Sequence, residues 1–156
     1  MVFAKAEPMI KAGTILVVLL AAGARSASAQ DAIAGRIKSA AGTVSIVRHG
    51  AVVPAQAGQP LFESDAVRTG ADGRAGIMLR DETRMALGPN TDVRIDRFLY
   101  SPGQGRLGVV LKIAQGLVAY VSGRIAKLSP EAVRLETPSA ILGVRGTKMV
   151  IRVEVP

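Results

Sequence analysis

Three aspartates are the first residues whose type and spacing suggest chemistry. Asp65, Asp72 and Asp81 follow one another at intervals of seven and nine residues. Carboxylates at successive turns are hard oxygen ligands of the kind that Ca²⁺ takes. The alternative is that each aspartate caps its own turn by accepting backbone N–H bonds. We favour the capping role, so the sequence predicts no metal site and no cofactor.

Residues for enzymatic catalysis are few. The chain has no cysteine, which excludes a catalytic thiol, an iron–sulfur cluster and cysteine-ligated zinc. Its one histidine, His49, precludes any site that needs two imidazoles, and the following Gly50 indicates a hairpin tip. No nucleophile motif marks a serine as a partner of His49. We therefore expect no enzymatic activity; a hydrolase or a calcium-dependent enzyme is the alternative.

A glycine-rich segment near the end of the chain offers a candidate phosphate site. It consists of Gly143-Val144-Arg145-Gly146-Thr147-Lys148. Its spacing differs from the Gly-x-x-x-x-Gly-Lys-Ser/Thr pattern of phosphate loops, and no helix pattern follows it. A tight turn or a bulge entering the last strand explains the glycines better. We expect Arg145 to hydrogen-bond a neighbouring turn.

The excess of basic residues points to an anionic partner. The 156 residues include 20 Lys and Arg against 12 Asp and Glu, a net charge of +8. Because the basic residues are dispersed and only 3% of the chain is aromatic, we expect no nucleic-acid partner. Four arginines oppose apolar neighbours and form a candidate face: Arg74, Arg80, Arg84 and Arg94. Lipid headgroups, lipopolysaccharide, acidic glycan and acidic protein fit such a face; simple solvation of outward strand positions is the alternative.

The first 29 residues have the pattern of a signal peptide. Lys5 and Lys11 precede an apolar stretch over residues 12–24, shorter than the ~20 residues of a spanning helix. Ala27-Ser28-Ala29 is a small-x-small cleavage site, which places the mature start near Gln30. An uncleaved anchor is the alternative, and membrane contact is expected only through it. The pattern predicts a periplasmic or secreted protein with a net charge of +6 over 127 residues.

Hydrophobic alternation runs through residues 30–156, which we expect to form one domain. In the clearest segment Ala75, Ile77 and Leu79 alternate with small or polar residues, and a period of two is typical of a half-buried strand. Turn residues punctuate the strands at short intervals, and Asp72-Gly73 suits a type I′ hairpin. The sequence predicts an all-β domain, an antiparallel strand meander closing as a sandwich, a roll or a short β-solenoid.

An ordered set of motifs over residues 35–155 resembles a FecR-type domain. The most specific stretch carries these residues ahead of and within alternating strands: Asp65, Thr69, Gly70, Asp72, Gly73 and Asp81. Later turns supply the others: Gly88, Pro89, Asn90, Gly143, Arg145, Gly146 and Thr147. We interpret all of them as structural turn residues. Glu82 departs from the family pattern, which usually has Gly there; because Glu is poorly suited to positive φ, we expect another type of turn.

The resemblance also implies a functional context. Members that gave the family its name sense ferric-siderophore uptake and pass a signal from an outer-membrane receptor to a cytoplasmic sigma factor. That role needs a cytoplasmic segment and a transmembrane helix, and 11 residues precede the apolar stretch here. The first hypothesis is an exported, non-enzymatic binding or scaffolding module whose partner is an envelope protein or polyanion. The alternative is a sensor or regulatory component of ferric-siderophore-type cell-surface signalling, acting through a separately encoded partner.

Overall fold

The computed structural model describes residues 32–145 and 148–155. The predicted signal peptide, its cleavage site, Gly146 and Thr147 lie outside these residues. Strands make up 61% of the structure and helical turns 9%, which confirms the predicted all-β class. One short α-helix, α1 (Arg124–Leu128), and two 3₁₀ turns, Pro102–Gln104 and Pro130–Ala132, occur in the described residues. None of these helical segments has the length and apolar content that crossing a membrane requires.

The described residues form twelve strands, most of them short. They are β1 (Ile33–Ala41), β2 (Val44–Arg48), β3 (Ala51–Pro54), β4 (Pro60–Phe62), β5 (Ala66–Thr69), β6 (Arg74–Leu79), β7 (Arg84–Leu87), β8 (Asp92–Ser101), β9 (Arg106–Val121), β10 (Val133–Glu136), β11 (Ile141–Gly143) and β12 (Lys148–Val153). Alternation of buried and exposed residues accompanies most of them, as a sheet with one face on the core requires.

The strands form a curled half-barrel with two connected halves. Sheet I has the order β4-β1-β6-β7-β9-β12, and sheet II has the order β3-β2-β5-β8-β9-β10-β11. The long strand β9 belongs to both, because residues 106–115 pair with β8 while residues 116–121 pair with β7 and β12. Every pairing is antiparallel except that of β9 with β10. The arrangement is therefore not a simple meander, since β1 and β2 each pair with strands that come later.

A glycine marks the point where β9 passes from one sheet to the other. Gly116 has φ +101°, and a Cβ at this position would collide with Thr91. The Leu117 N–H donates to the Thr91 hydroxyl oxygen at 3.1 Å, and the Thr91 N–H donates to the Thr69 hydroxyl oxygen at 2.9 Å. Since β7 and β8 run along the same side of β9, residues 88–91 form the matching bend in their path.

The core is one aliphatic cluster that joins residues of both sheets. The largest completely buried aliphatic side chains are Ile37, Ile46, Leu61, Ile77, Leu79, Ile95, Leu111, Ile113, Ile125 and Leu135. Each such side chain contributes roughly 1.5–3 kcal/mol on burial. Among the described residues, Phe98 and Tyr120 are the buried aromatics. The low aromatic content of the chain thus reflects a core built from branched aliphatic residues.

The turns decide which strands become neighbours. His49 and Gly50 join β2 to β3 with φ of 48° and 79°, the left-handed pair that a tight hairpin needs. The Asp72-Gly73 hairpin prediction is wrong, because β5 pairs with β2 and β8 whereas β6 pairs with β1 and β7. The segment instead crosses between the sheets, held by a Gly70 N–H bond to the Thr43 carbonyl at 2.9 Å.

The turn between β6 and β7 differs from the sequence expectation. Glu82 adopts φ 70°, the left-handed conformation that the sequence suggested it would avoid. The buried Asp81 carboxylate accepts the N–H of Thr83 at 3.1 Å and its hydroxyl at 2.8 Å. The Glu82 N–H donates to the Leu79 carbonyl at 3.0 Å. These bonds fix the turn, and the exposed Glu82 accepts the conformation that the turn imposes.

Candidate functional site

The outward face of sheet I presents three cross-strand rows of side chains, and the first row is basic. Arg84 on β7 lies opposite Met78 on β6 and Val121 on β9. Beyond these two, Met78 lies opposite Arg36 on β1, and Val121 lies opposite Lys148 on β12. Residues directly opposite each other in an antiparallel pair point to the same side. The three basic side chains therefore stand in one row.

The second row is made of small residues, with a larger exposed valine at its β12 end. Gly76, Ala86, Ala119 and Val150 lie opposite one another on β6, β7, β9 and β12. Ser39 continues the row on β1, where a bulge places it opposite Gly76. A Cβ on Gly76 would stand 2.7 Å from the Ser39 hydroxyl oxygen, so this end of the row is closely packed. The row forms a shallow floor across the sheet.

The third row carries two more basic residues. Arg74 lies opposite Ala41 on β1, and Arg152 on β12 lies opposite Leu117 on β9. Lys38, the extra residue of the β1 bulge, is exposed beside Gly76. We call the six exposed residues of these rows the basic face: Arg36, Lys38, Arg74, Arg84, Lys148 and Arg152.

The charge of the basic face is uncompensated. The six strands of sheet I contain no Asp or Glu in the structure as described, and the first acid after β12 is Glu154. Within residues 32–145 and 148–155, no basic-face side chain forms an ion pair. Arg36 donates to the Gly58 carbonyl at 3.2 Å, a neutral acceptor. A positive surface of six charges therefore faces solvent.

Sheet II also carries six exposed basic residues, and four of them have an acidic neighbour; the other two, Arg97 and Arg106, form no ion pair with any described residue. Its ion pairs are Arg68–Asp92 at 2.9 Å, Arg94–Asp96 at 3.8 Å, Lys112–Asp96 at 3.5 Å, Lys112–Glu136 at 3.9 Å and Arg134–Glu136 at 4.0 Å. Exposed pairs of this kind add little stability. These pairs cancel positive charge locally, so sheet II carries fewer unpaired cations on its outward face than sheet I does.

The four arginines singled out in the sequence do not lie on one face. Arg74 and Arg84 belong to the basic face. Arg80 follows β6 in the turn, and its guanidinium lies 5.6 Å from the centre of the Phe98 ring. Arg94 lies in sheet II, opposite Ala66 and Lys112. Local alternation gives the side of a strand on which a residue lies, but it does not give the sheet to which the strand belongs.

Four members of the basic face were missed by the sequence reasoning: Arg36, Lys38, Lys148 and Arg152. The signal was partly present, because Lys148 and Arg152 alternate with Met149 and Ile151 on the last strand. What the sequence did not provide was the pairing of β1 and β12 into the sheet that holds β6 and β7. Those contacts join residues more than 25 positions apart along the chain.

The three aspartates serve separate loops. Asp65 is buried, and its carboxylate accepts a hydrogen bond from the Arg48 guanidinium at 2.7 Å. This hydrogen bond raises the pKa of Arg48. Asp72 is exposed, and hydrogen bonding by Thr43 lowers its pKa. Asp81 is buried and also accepts the Ile125 N–H at 3.3 Å. No three His, Asp or Glu residues of the described chain lie close enough to hold a metal ion.

The other turn residues hold the crossings between the sheets. The Thr69 hydroxyl donates to the Gly88 carbonyl at 2.6 Å, and the Asn90 N–H donates to the Gly70 carbonyl at 3.1 Å. Asn90 itself has φ 51°, which asparagine tolerates better than most residues. Gly73 and Pro89 lie in the same loops, whereas Gly143 is the last residue of β11, opposite Arg134. Arg145 is exposed after β11.

The fold and its surface define a small all-β domain with one face of unpaired positive charge. The family model described as FecR protein matches residues 65–155, and the chain belongs to this family. FecR domains are associated with regulation and signalling. No curated protein and no solved structure matches the chain. The strands before residue 65 pair into both sheets, so the folded unit extends from β1 through the matched segment.

Proposed function

We propose that this protein is an exported, non-enzymatic binding module of the bacterial envelope, and that its basic face binds an anionic partner. The observation that carries the proposal is the contrast between the two sheets. Six exposed basic side chains on sheet I have no acidic partner among the described residues, whereas four of the six on sheet II are paired with an acid. Solvation of outward positions alone would not separate the charges in this way.

The electrostatic magnitudes fit a binding surface that the fold tolerates. Two charges about 10 Å apart, the separation of alternate strands, repel by about 0.4 kcal/mol in water, and salt reduces this further. Such a cost is small for a folded domain. A partner that carries several anionic groups gains from all six cations together. Four of the six are arginines, whose planar guanidinium pairs with carboxylate, phosphate or sulfate through two parallel bonds.

Export supports the choice of partner. The pattern of residues 1–29 is that of a signal peptide. In a periplasmic or secreted location the anionic partners that the protein can meet are envelope proteins, lipid headgroups and acidic polymers. Membership of the FecR family favours a second candidate function, a sensor or regulatory component of ferric-siderophore-type cell-surface signalling. In that case the anionic partner of the basic face would be another protein of the signalling chain.

The proposal is tested by comparing two triple variants with the same change in net charge. The first removes basic-face charges (Arg84→Gln, Lys148→Gln and Arg152→Gln), and the matched control removes paired charges of sheet II (Arg68→Gln, Arg94→Gln and Lys112→Gln). The measurement is retention of the purified protein on an immobilised polyanion, heparin, in a rising salt gradient. We expect the basic-face variant to elute at lower salt than the control. Each lost contact is worth about 0.5–1 kcal/mol, so three lost contacts weaken binding at least about tenfold. Circular dichroism and thermal unfolding verify that both variants fold.

Two results would overturn the proposal. One is equal elution of the two triple variants, which would mean that net charge alone governs retention. The other is failure of the unchanged protein to bind heparin and every other anionic probe at physiological salt. Capture from envelope extract separates the candidate functions: selective recovery of an outer-membrane receptor or a sigma-factor regulator favours the signalling role. Recovery of acidic polymer or of an unrelated envelope protein favours the binding module.

A further inference from the structure

On the basic face, a middle row of mostly short side chains lies between two rows that carry long basic side chains, and we call this strip the channel. Its middle row consists of Ser39, Gly76, Ala86, Ala119 and Val150, which leave a low floor. Long basic side chains stand on both sides of this floor. The rows of Arg84 and Arg152 are four residues apart along β9, which corresponds to about 14 Å. The floor crosses five strands, from β1 to β12, or about 19 Å.

The direction of the channel selects the shape of its occupant. The channel runs across the strands, so an occupant contacts one strand after another. Along the first row, which forms one side of the channel, basic residues recur on alternate strands at Arg36, Arg84 and Lys148. Their spacing is about 10 Å. An extended polysaccharide whose successive sugars are turned over presents every second acidic group on the same side. A linear polymer with regularly repeated carboxylates therefore matches both the floor and the first row.

We propose that the channel binds a linear acidic polysaccharide, an inference that rests on the anion-binding function proposed above. The floor suits a sugar chain, because small side chains admit the ring backbone and the Ser39 hydroxyl supplies a polar group at one end. The guanidinium groups of Arg36, Arg84 and Arg152 take the carboxylates. Lys38 and Arg74 carry the remaining charge at the β1 and β6 end.

The same face is a poor match for two other polyanions. A membrane surface would touch the tips of the basic side chains and leave the floor empty, and the rows carry no exposed aromatic side chain that inserts at a lipid interface. Single-stranded nucleic acid is bound through aromatic stacking platforms, and none of the three rows of the basic face contains an aromatic residue. The experiment below includes a separate probe for each of these two alternatives.

The experiment measures binding of polymannuronate, a β-1,4-linked uronic acid polymer, and of its oligomers by fluorescence anisotropy. Neutral cello-oligosaccharides of equal length, phosphatidylglycerol vesicles and oligothymidylate serve as the other probes. We expect affinity for the oligomers to rise with length until the oligomer spans the channel and then to level off. We expect no binding of the neutral sugars, and binding of the polymer to weaken with salt.

A variant that fills the channel without changing charge provides the sharper test. Ala86→Phe places a large ring on the exposed centre of the floor, and Val52→Phe is the matched control on β3, where Val52 is 64% exposed. We expect Ala86→Phe to reduce polymannuronate affinity at least about tenfold and Val52→Phe to leave it unchanged; thermal unfolding checks both folds. A polymer affinity that is insensitive to Ala86→Phe, or to oligomer length, would overturn the channel. Vesicle or oligothymidylate binding without polymannuronate binding would refute this inference alone, whereas failure of every anionic probe would refute the proposed function itself.

Discussion

The guanidinium of Arg48 lies 2.7 Å from the carboxylate of Asp65, and the pair connects the two sheets on the side away from β9. Arg48 belongs to β2 in sheet II, yet it also donates to the Pro60 carbonyl at 3.1 Å and lies 4.6 Å from the centre of the Phe62 ring. Both of those residues are in β4, the edge of sheet I. Asp65 accepts the Phe62 N–H at 2.9 Å. The half-barrel is thus fastened at β9 and again at this cluster.

Replacement of Asp65 by Asn should destabilise the fold substantially. The Asp65 side chain is 2% exposed, so the variant leaves the Arg48 guanidinium without its counter-charge beside the core. We expect the free energy of unfolding in urea to fall by about 2–3 kcal/mol. Asp92→Asn is the control, because the Arg68–Asp92 pair is exposed and should cost less than about 1 kcal/mol. Equal losses in the two variants would contradict a special role for the Arg48–Asp65 pair.

The sequence was sufficient for those parts of the fold that depend on neighbouring residues. The alternation of Ala75, Ile77 and Leu79 places a strand correctly because strand periodicity is a local property. The His49-Gly50 turn is likewise local and joins adjacent strands. The Asp72-Gly73 prediction failed because a turn motif does not say whether the strands on its two sides pair. Here both strands find partners elsewhere, through buried contacts distant in sequence.

The candidate site was harder to predict than the fold for the same reason. A surface is an arrangement of strands side by side, and its charge depends on which strands those are. Arg84 and Arg94 are both exposed, both basic and ten residues apart, but Arg94 lies beside Asp96 in sheet II and Arg84 has no such neighbour. The difference arises from strand order, which long-range packing of the core determines.

Gly116→Ala should disrupt the passage of β9 between the sheets. Gly116 has φ +101°, and an added Cβ would collide with the backbone and side chain of Thr91. Since both sheets depend on this bend, we expect the free energy of unfolding to fall by more than about 2 kcal/mol. Gly103→Ala is the control, because a Cβ added at Gly103 would stand in open space. This substitution should change the free energy of unfolding by less than about 0.5 kcal/mol. A Gly116 variant as stable as the Gly103 variant would show that the bend does not need glycine.

Glu82→Gly should stabilise the protein. The left-handed backbone of Glu82, with φ 70°, costs an ordinary residue roughly 1–2 kcal/mol that glycine does not incur. The variant also loses the exposed contact of Glu82 with Arg124 at 3.3 Å, which is worth a few tenths of a kcal/mol. We expect a net gain of about 0.5–1 kcal/mol in the free energy of unfolding. Arg124→Gln removes the same ion pair, together with the contact of Arg124 with Tyr100, and leaves the backbone of Glu82 unchanged. A Gly variant no more stable than this control would mean that glycine relieves no strain at position 82.

Tyr120→Phe should change the stability of the fold at alkaline pH but leave its stability at neutral pH nearly unchanged. Burial raises the pKa of Tyr120 above its ordinary value of 10.0. The Asp81 carboxylate raises it further, and the side chains of Thr83 and Ser122 offset part of the rise. The Tyr120 oxygen has no hydrogen bond of ordinary geometry to any described residue. At neutral pH the variant should therefore unfold within about 1 kcal/mol of the unchanged protein.

The two proteins should diverge as the pH rises. The folded chain holds the Tyr120 proton more tightly than the unfolded chain, so the unchanged protein keeps its full stability below pH 10.0 and loses stability as the pH climbs toward the raised folded pKa. The Phe variant lacks this loss. Urea unfolding from about pH 8 to about pH 11 measures the difference, with Tyr100→Phe, a partly exposed tyrosine, as the control. Parallel stability curves for the unchanged protein and the Tyr120 variant would mean that Tyr120 ionises as readily in the folded chain as in the unfolded one.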